Sequence, residues 1–141
     1  MVAPGNEGVA GRIKNSKDTI GYVEYGIAQR AGLAMAWLEN KAGHFIQAHG
    51  NSGLATLQNV EMPENLRIFF PDPDGQDSYP IVTFSWLLLY KQYDDHLKAT
   101  ALKQYVKWCL TEGQAFNESL GYVRLPPQVV AHTMAAVDSI R

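Results

Sequence analysis

The stretch Thr19-Ile20-Gly21-Tyr22-Val23-Glu24-Tyr25-Gly26 carries the clearest fold signal in this chain of 141 residues. β-Branched and aromatic residues dominate it, polar residues precede it and a glycine closes it, which is typical of a short β-strand. We therefore predict a strand over residues 20–25, with successive side chains on opposite faces. Its charged residue, Glu24, could act as a ligand or a catalytic carboxylate. A solvated or hydrogen-bonded position at the end of a sheet is the interpretation we favour.

Three further stretches flank this strand and form an ordered set with it. Gly5-Asn6-Glu7-Gly8-Val9-Ala10-Gly11 lies upstream, and Tyr79-Pro80-Ile81 and Leu120-Gly121-Tyr122-Val123-Arg124-Leu125-Pro126 lie downstream. Together the four stretches resemble the "GNxGV" helix start, the "IGYVEY" strand, the "(W/Y)PI" strand and the "GY-x-x-LP" helix entry of the phosphate-binding proteins that serve ABC phosphate importers. Four landmarks in family order make the resemblance fairly specific, and they cover the C-terminal portion of a full-length family member.

The resemblance implies an α/β fold of the periplasmic-binding-protein type (type II), of which this chain would form the C-terminal half. We expect a mixed sheet flanked by helices. Family topology assigns residues 1–78 to a partial second lobe, with a helix, a strand, a hairpin and a helix. Residues 79–141 would form a partial first lobe, with a buried strand and the C-terminal helices. The boundary falls at the loop 71–78, which is dense in proline, aspartate and glycine.

Local signals predict the elements of the first part of the chain. Asn6 is expected to cap a helix that runs to about Lys14. A short helical turn over residues 28–31 should end at Gly32, followed by a hairpin of residues 33–39 and 44–48. Asn51 or Ser52 should cap a helix over about residues 54–60. A short apolar strand is predicted at residues 66–70.

The second part of the chain should contain one buried strand and several helices. The nearly continuous apolar run of residues 81–90 predicts a strand that is buried on both faces. Helical periodicity predicts helices at residues 97–112 and 114–120, the latter ended by Gly121. Pro126 and Pro127 fit the first turn of a last helix. The tryptophans of the chain, which are Trp37, Trp86 and Trp108, are expected to pack in the core.

Composition restricts the class of protein. Hydrophobic residues make up 46% and charged residues 18%, as in soluble globular domains, and the net charge of −2 argues against nucleic acid as a partner. The single cysteine, Cys109, excludes an internal disulfide, and its place on an apolar helical stripe predicts a buried, inert thiol. No apolar run reaches the roughly 18 residues that a membrane-spanning helix needs.

Candidate anion sites lie at two predicted helix starts. Backbone N–H groups there could hold a phosphate at Asn6, Glu7 and Gly8, or at Asn51, Ser52 and Gly53. The alternative interpretation, which we favour at both places, is structural: close packing of glycine against a neighbour at the first, and a capped helix start at the second. In either case we expect a binding protein rather than an enzyme, since no nucleophile-elbow motif occurs.

No metal or cofactor is predicted. Asp72, Asp74 and Asp77 do not match the spacing of a calcium loop, so we interpret them as an acidic turn. The four histidines of the chain include no pair at the spacing of a helical zinc site.

The remaining expectations are implied by the resemblance alone. Inorganic phosphate would be the ligand, and membrane subunits of an ABC transporter would be partners in the full-length family. The location would be periplasmic or extracytoplasmic, although we expect no signal peptide in this chain itself. The family's arginine with a Gly-Ser-Gly-Thr type of turn is missing from the sequence, so no ligand residue can be carried over. The chain could then compact into a different single domain, or form a homodimer or a complex with a complementary N-terminal half. The alternative function is a truncated structural or interaction module that associates through uncovered faces.

Overall fold

A computed structural model describes residues 2–141 and shows a mostly helical chain with one small sheet. The helices are α1 (Gly5–Asn15), α2 (Tyr25–Ala31), α3 (Gly50–Gln58), α4 (His96–Leu110), α5 (Asn117–Leu120) and α6 (Pro127–Asp138), with a 3-10 helix at Glu112–Phe116. The strands are β1 (Trp37–Glu39) and β2 (Phe45–Gln47). No helix among residues 2–141 is long and apolar enough to cross a membrane.

The predicted hairpin is confirmed, although its strands are shorter than expected. β1 and β2 pair antiparallel with Leu38 opposite Ile46. Asn40 explains why the turn is fixed: its Oδ1 accepts hydrogen bonds from the backbone N–H groups of Ala42 and His44. Its amide Nδ2 donates to the carbonyls of Gly75, Gln76 and Ser78 at 2.9 to 3.2 Å. One buried amide therefore fastens the hairpin turn to the loop 71–78.

Three predicted strands are wrong. Residues 20–24, 66–70 and 81–90 are extended or irregular but carry no ladder of strand hydrogen bonds, and Tyr25 begins helix α2. Ile20 and Tyr22 are each 94% exposed. The side-chain pattern of these segments suits strands, but a strand also needs a neighbour with matching free N–H and C=O groups. No other segment within residues 2–141 supplies one, so the predicted mixed sheet is also wrong, and the two-stranded hairpin is the only sheet there.

The helix predictions are confirmed in kind, with corrected boundaries and caps. α4 begins one residue early because Asp95 caps it, accepting from Leu97 N at 2.9 Å and Lys98 N at 3.1 Å. Gly32 and Gly121 end α2 and α5 in the left-handed conformation, with φ of 67° and 82°. Pro127 occupies the first turn of α6. The expectation for the tryptophans is wrong, since Trp37, Trp86 and Trp108 are 59%, 39% and 46% exposed.

Two apolar clusters form the core. The first contains Leu57, Val60, Phe84 and Val129, and the second contains Val106, Leu110 and Val137. Helix α6 supplies residues to both, and Leu125 packs against both. α6 and the turn before it therefore hold the two clusters together.

The turn at residues 120–123 makes close contacts with α2 and α3. A Cβ on Gly26 would lie 2.9 Å from Leu120 O and 3.0 Å from Gly121 Cα, and a Cβ on Gly121 would overlap Gly26. Arg30 Nη1 donates to Leu120 O at 3.1 Å. Two residues on, Val123 lies against α3, where a Cβ on Gly53 would come within 2.7 Å of its Cγ2. Glycine thus lets one turn touch both α2 and α3.

The C-terminal end of α6 is tied to α4 by two lysines. Lys107 Nζ lies 2.5 Å from Asp138 Oδ1. Lys103 Nζ donates to the carbonyls of Asp138 at 3.1 Å and Ile140 at 2.9 Å. The hydrogen bond from Lys107, together with the positive charges of Lys107 and Lys103, holds the pKa of Asp138 below its ordinary value.

We predict that Gly121→Ala lowers the free energy of unfolding by about 2 to 4 kcal/mol. The added methyl group is strained at positive φ and overlaps the backbone of Gly26. Gly11→Ala is the matched control, because nothing lies within 4 Å of its Cβ position. It should stabilise helix α1 by about 1 kcal/mol. Urea unfolding measures both, and equal stability of Gly121→Ala and the wild type would contradict the proposed contact.

We also predict a depressed carboxyl pKa at Asp138, measurable by NMR titration. Lys107→Met should return that pKa toward its ordinary value, whereas Lys98→Met, a change on the same helix away from Asp138, should not. Because the pKa is lowered in the fold, the stabilisation is complete above the ordinary aspartate pKa and disappears as pH falls through the lowered value. The pair is exposed, so the effect on stability should be small.

Candidate functional site

The start of α3 is capped by a residue that the sequence analysis did not select. His49 Nδ1 accepts hydrogen bonds from Asn51 N at 3.1 Å and Ser52 N at 3.2 Å. Ser52 Oγ accepts in return from His49 N at 3.1 Å, which completes a reciprocal capping box. The prediction that Asn51 or Ser52 caps this helix is therefore wrong by two or three residues. Neutral histidine can cap because one ring nitrogen is a free acceptor.

Each residue of the α3 candidate has a structural role. Asn51 contributes a backbone N–H to the His49 cap, and the Ser52 hydroxyl donates to Gln47 O at 2.8 Å. Gly53 provides the close contact with Val123. Two amides that an anion would use at this helix start are thus already engaged within the chain.

The start of α1 is different, because no side chain caps it. Pro4 is the residue before the helix and forms no side-chain cap hydrogen bond. Asn6 lies inside the helix rather than at its cap, so that prediction is wrong, and its Oδ1 accepts from Glu24 N at 3.0 Å. Gly8 makes room for the preceding chain, since a Cβ there would lie 3.1 Å from Pro4 Cδ. Glu7 adds a negative charge to the first turn, which favours the helix but opposes a bound anion.

Glu24 has a function that its interpretation as a sheet-end residue did not foresee. Its carboxylate caps α2, accepting from Gly26 N at 2.8 Å and Ile27 N at 3.2 Å. Its own backbone N–H donates to Asn6, so Glu24 connects the starts of α1 and α2. A capping acid before Tyr25-Gly26-Ile27 could have been read as a helix start, but the β-branched and aromatic pattern favoured a strand.

An open groove of about 300 Å³ lies between α1 and α2 and is lined by two basic side chains. Lys14 and Arg30 line it together with Glu7. Both cations already donate to backbone carbonyls, Lys14 Nζ to Ala31 O at 3.2 Å and Arg30 Nη1 to Leu120 O at 3.1 Å. A second open depression, of about 460 Å³, lies between the end of α3 and α6 and is lined by Glu61 and His132 among others.

The acidic turn serves the hairpin. Asp72 Oδ1 accepts from Lys41 N at 2.9 Å, and Asp74 Oδ1 lies 2.7 Å from Lys41 Nζ. The hydrogen bond and charge of Asp74 raise the pKa of Lys41.

Within the described part of the chain, no group of three or more His, Cys, Asp or Glu side chains could hold a metal ion. Cys109 is half-buried, and its hydrogen bond with Tyr105 raises the pKa of the tyrosine.

The structure does not assemble the two candidate sets into one site. No hydrogen bond described for residues 2–141 joins Asn6, Glu7 or Gly8 to Asn51, Ser52 or Gly53. Neither set is tested as a ligand site by this geometry, and both stay predictions. The start of α1 leaves its first amides without a side-chain cap, which makes it the less obstructed of the two.

Comparison with known proteins identifies the class. No family model matches the chain. Its relatives among characterised proteins are binding proteins, which agrees with the prediction that the chain is not an enzyme. The phosphate-binding protein PstS of Pasteurella multocida is 34% identical over 133 residues, covering 93% of this chain and 39% of the relative. PstS of Haemophilus influenzae is 33% identical over 129 residues, covering 90% of this chain and 39% of the relative.

The likeness extends to a third relative. PstS of Methanocaldococcus jannaschii is 34% identical over 156 residues, covering 100% of this chain and 40% of the relative. The chain is a homologue of the PstS phosphate-binding proteins over nearly all of its length, which confirms the resemblance read from the sequence motifs. It spans about two fifths of the length of these relatives, 39% of the Pasteurella protein.

We predict that His49→Ala lowers the free energy of unfolding by about 1 kcal/mol, because two first-turn amides of α3 lose their acceptor. His49→Asp should preserve stability, since a carboxylate caps the same amides and suits the helix dipole. His44→Ala is the control, because the hydrogen bonds of His44 run through its backbone. Urea unfolding measures all three variants. If His49→Ala and His44→Ala had the same free energy of unfolding, the His49 cap would not stabilise the fold.

Proposed function

We propose that this chain is the C-terminal part of the phosphate-binding component of an ABC phosphate import system, acting in the periplasm or another extracytoplasmic space. The observation that carries the proposal is the 34% identity to a PstS protein over 93% of the chain. The division into residues 1–78 and 79–141, as parts of the second and first lobes, belongs to the same proposal. Membrane subunits of the transporter would be its partners in a full-length protein.

The chain's own contribution to phosphate contacts is proposed to be small. The cap of α3 uses Asn51 N and Ser52 N, and Glu7 opposes an anion at α1. Lys14 and Arg30 are engaged with carbonyls. Most donors for phosphate would therefore come from the part of a full-length relative that this chain does not match. The start of α1 at Asn6, Glu7 and Gly8, which no side chain caps, is the remaining candidate on this chain.

A second function, association through uncovered apolar faces, has an independent observation in its favour. Large apolar side chains are exposed along the extended segments, among them Ile20, Tyr22, Ile81, Leu87 and Leu88. Large apolar side chains exposed in number are typical of interaction sites when they form a patch. The partner would be a second copy of the chain or a complementary N-terminal half.

Calorimetric titration of inorganic phosphate tests the first function. We expect no binding to the chain alone. Binding in the micromolar range or tighter is expected once the chain is joined, as one polypeptide, to the part of the Pasteurella multocida PstS protein that it does not match. Sulfate, titrated at the same concentrations, is the control ligand for anion specificity.

The two parts of the proposal can fail separately. A folded joined protein that shows no heat of phosphate binding would contradict the assignment as a phosphate-binding component. Tight binding of phosphate by the chain alone would instead contradict the proposal that it contributes few donors. Asn6→Pro and Asn51→Pro, each of which removes one backbone N–H from the first turn of its helix, would then locate the site.

A further inference from the structure

The capping box of α3 depends on the protonation state of one side chain. His49 Nδ1 accepts hydrogen bonds from Asn51 N at 3.1 Å and from Ser52 N at 3.2 Å. An imidazole nitrogen accepts a hydrogen bond only when it carries no proton, and a protonated ring has two donors and no acceptor. The cap therefore exists only while His49 is neutral, and the ring proton then lies on Nε2.

The caps of the two neighbouring helices use a different chemical group. Glu24 and Asp95 cap α2 and α4 with carboxylates, whereas α3 uses an imidazole. Carboxyl groups ordinarily titrate at about pH 4 and imidazole at about pH 6.5. Of these three caps, the one on α3 is thus the cap that a change of pH between about 5 and 8 can remove.

The first turns of α3 join two other parts of the fold through buried side chains. Ser52 Oγ donates to Gln47 O, the last residue of β2, at 2.8 Å. Thr56 Oγ1 donates to Tyr79 O at 3.0 Å, and Tyr79 N donates to Ser52 O at 3.5 Å. The capping box therefore lies in a joint between α3, the hairpin and the segment that follows the loop 71–78.

No charge on α3 would offset the charge of a protonated His49. α3 contains no acidic or basic residue, and no ion pair described for residues 2–141 includes His49. The titratable or charged side chains on the elements around the start of α3 are Glu39, His44, Tyr79, Tyr122 and Arg124. The acidic one, Glu39, pairs with Phe45, two residues further from α3 than Gln47. The helix dipole also disfavours a positive charge at this end of α3.

We propose that the capping box of α3 is a pH-sensitive joint, which neutral His49 closes and which opens when the ring is protonated. In the unfolded chain no amide occupies Nδ1, so the unfolded chain binds the proton more readily than the folded chain. Stability rises with pH wherever the unfolded state carries more protons. The contribution of the cap is therefore complete above about pH 7.5 and declines as pH falls through about 6.5. The proposal does not depend on the proposed phosphate function.

Urea unfolding of the wild type and His49→Asn at pH 7.5 and pH 5.0 tests the proposal. Asparagine caps helices through its side-chain oxygen and does not titrate in this range. The ratio of the wild-type unfolding constant to that of His49→Asn should rise about fivefold from pH 7.5 to pH 5.0, which corresponds to the loss of one cap. The other histidines titrate in both proteins and cancel in this ratio.

His132→Asn is the matched control. It makes the same change on α6, where no hydrogen bond or ion pair described for residues 2–141 involves the side chain of His132. The ratio of the wild-type unfolding constant to that of His132→Asn should be the same at both pH values. Because the two variants differ only in which histidine is replaced, a difference between their ratios belongs to the cap.

NMR examines the joint directly and does not require a reversible unfolding transition. Nitrogen-15 spectra of the histidine rings at pH 7.5 should show His49 with an unprotonated Nδ1 and a proton on Nε2. When the pH is lowered to 5.0, the amide protons of Asn51 and Ser52 should shift upfield in the wild type as they lose their acceptor. The same amides should keep their positions in His49→Asn.

Three results would overturn the proposal. A wild-type to His49→Asn ratio that is equal at both pH values would show that protonation does not remove the stabilisation. A proton on Nδ1 of His49 at pH 7.5 would show that the ring does not accept from the two amides. Amide shifts of Asn51 and Ser52 that persist in His49→Asn would assign the pH response to another group.

Discussion

The contact between Gly26 and Gly121 is the constraint on which the arrangement of the chain depends. It brings the first turn of α2 against the end of α5 with no room for a Cβ on either residue. From the same turn, Val123 reaches Gly53 of α3, and Asn117 Nδ2 donates to Val123 O at 3.2 Å. The turn then leads through Leu125, which packs against both core clusters, into α6. The motif at residues 120–126 therefore has a packing explanation that requires no ligand.

Side-chain caps determine how many backbone N–H groups at the helix starts remain available to a ligand. Glu24, His49 and Asp95 each accept two backbone N–H groups at the start of α2, α3 and α4. These caps satisfy donors that would otherwise need water or an anion. An anion that displaced His49 or Glu24 would have to replace those hydrogen bonds before contributing any of its own. This cost is the physical reason for assigning most phosphate donors to polypeptide outside this chain.

Elements specified by local signals could be predicted from the sequence. Helical periodicity located α4 and α6, glycine located the ends of α2 and α5, and turn residues located the hairpin and the loop 71–78. The capping residues were missed because a cap depends on side-chain geometry rather than on residue type alone. His49 is an uncommon cap, and Glu24 lies within a pattern that favours a strand. At the candidate site, the packing role of Gly8 followed from its residue type. The contact of Gly53 with Val123 and the hydrogen bond from Glu24 N to Asn6 could not be predicted, because both depend on residues distant in the sequence.

The three segments that were wrongly predicted as strands failed for one shared reason. Residue type fixes which side chains suit a sheet, but pairing is a property of two segments, and the second is not found within residues 2–141. Over residues 81–84 the side chains still alternate as a strand would place them, with Val82 and Phe84 directed at the first cluster. Beyond Phe84 the alternation is lost, because Leu88 is 94% exposed whereas Leu89 packs against the second cluster. Because the backbone groups of this segment and its exposed apolar side chains are unsatisfied by the chain itself, its stability and its associations should depend on what covers them.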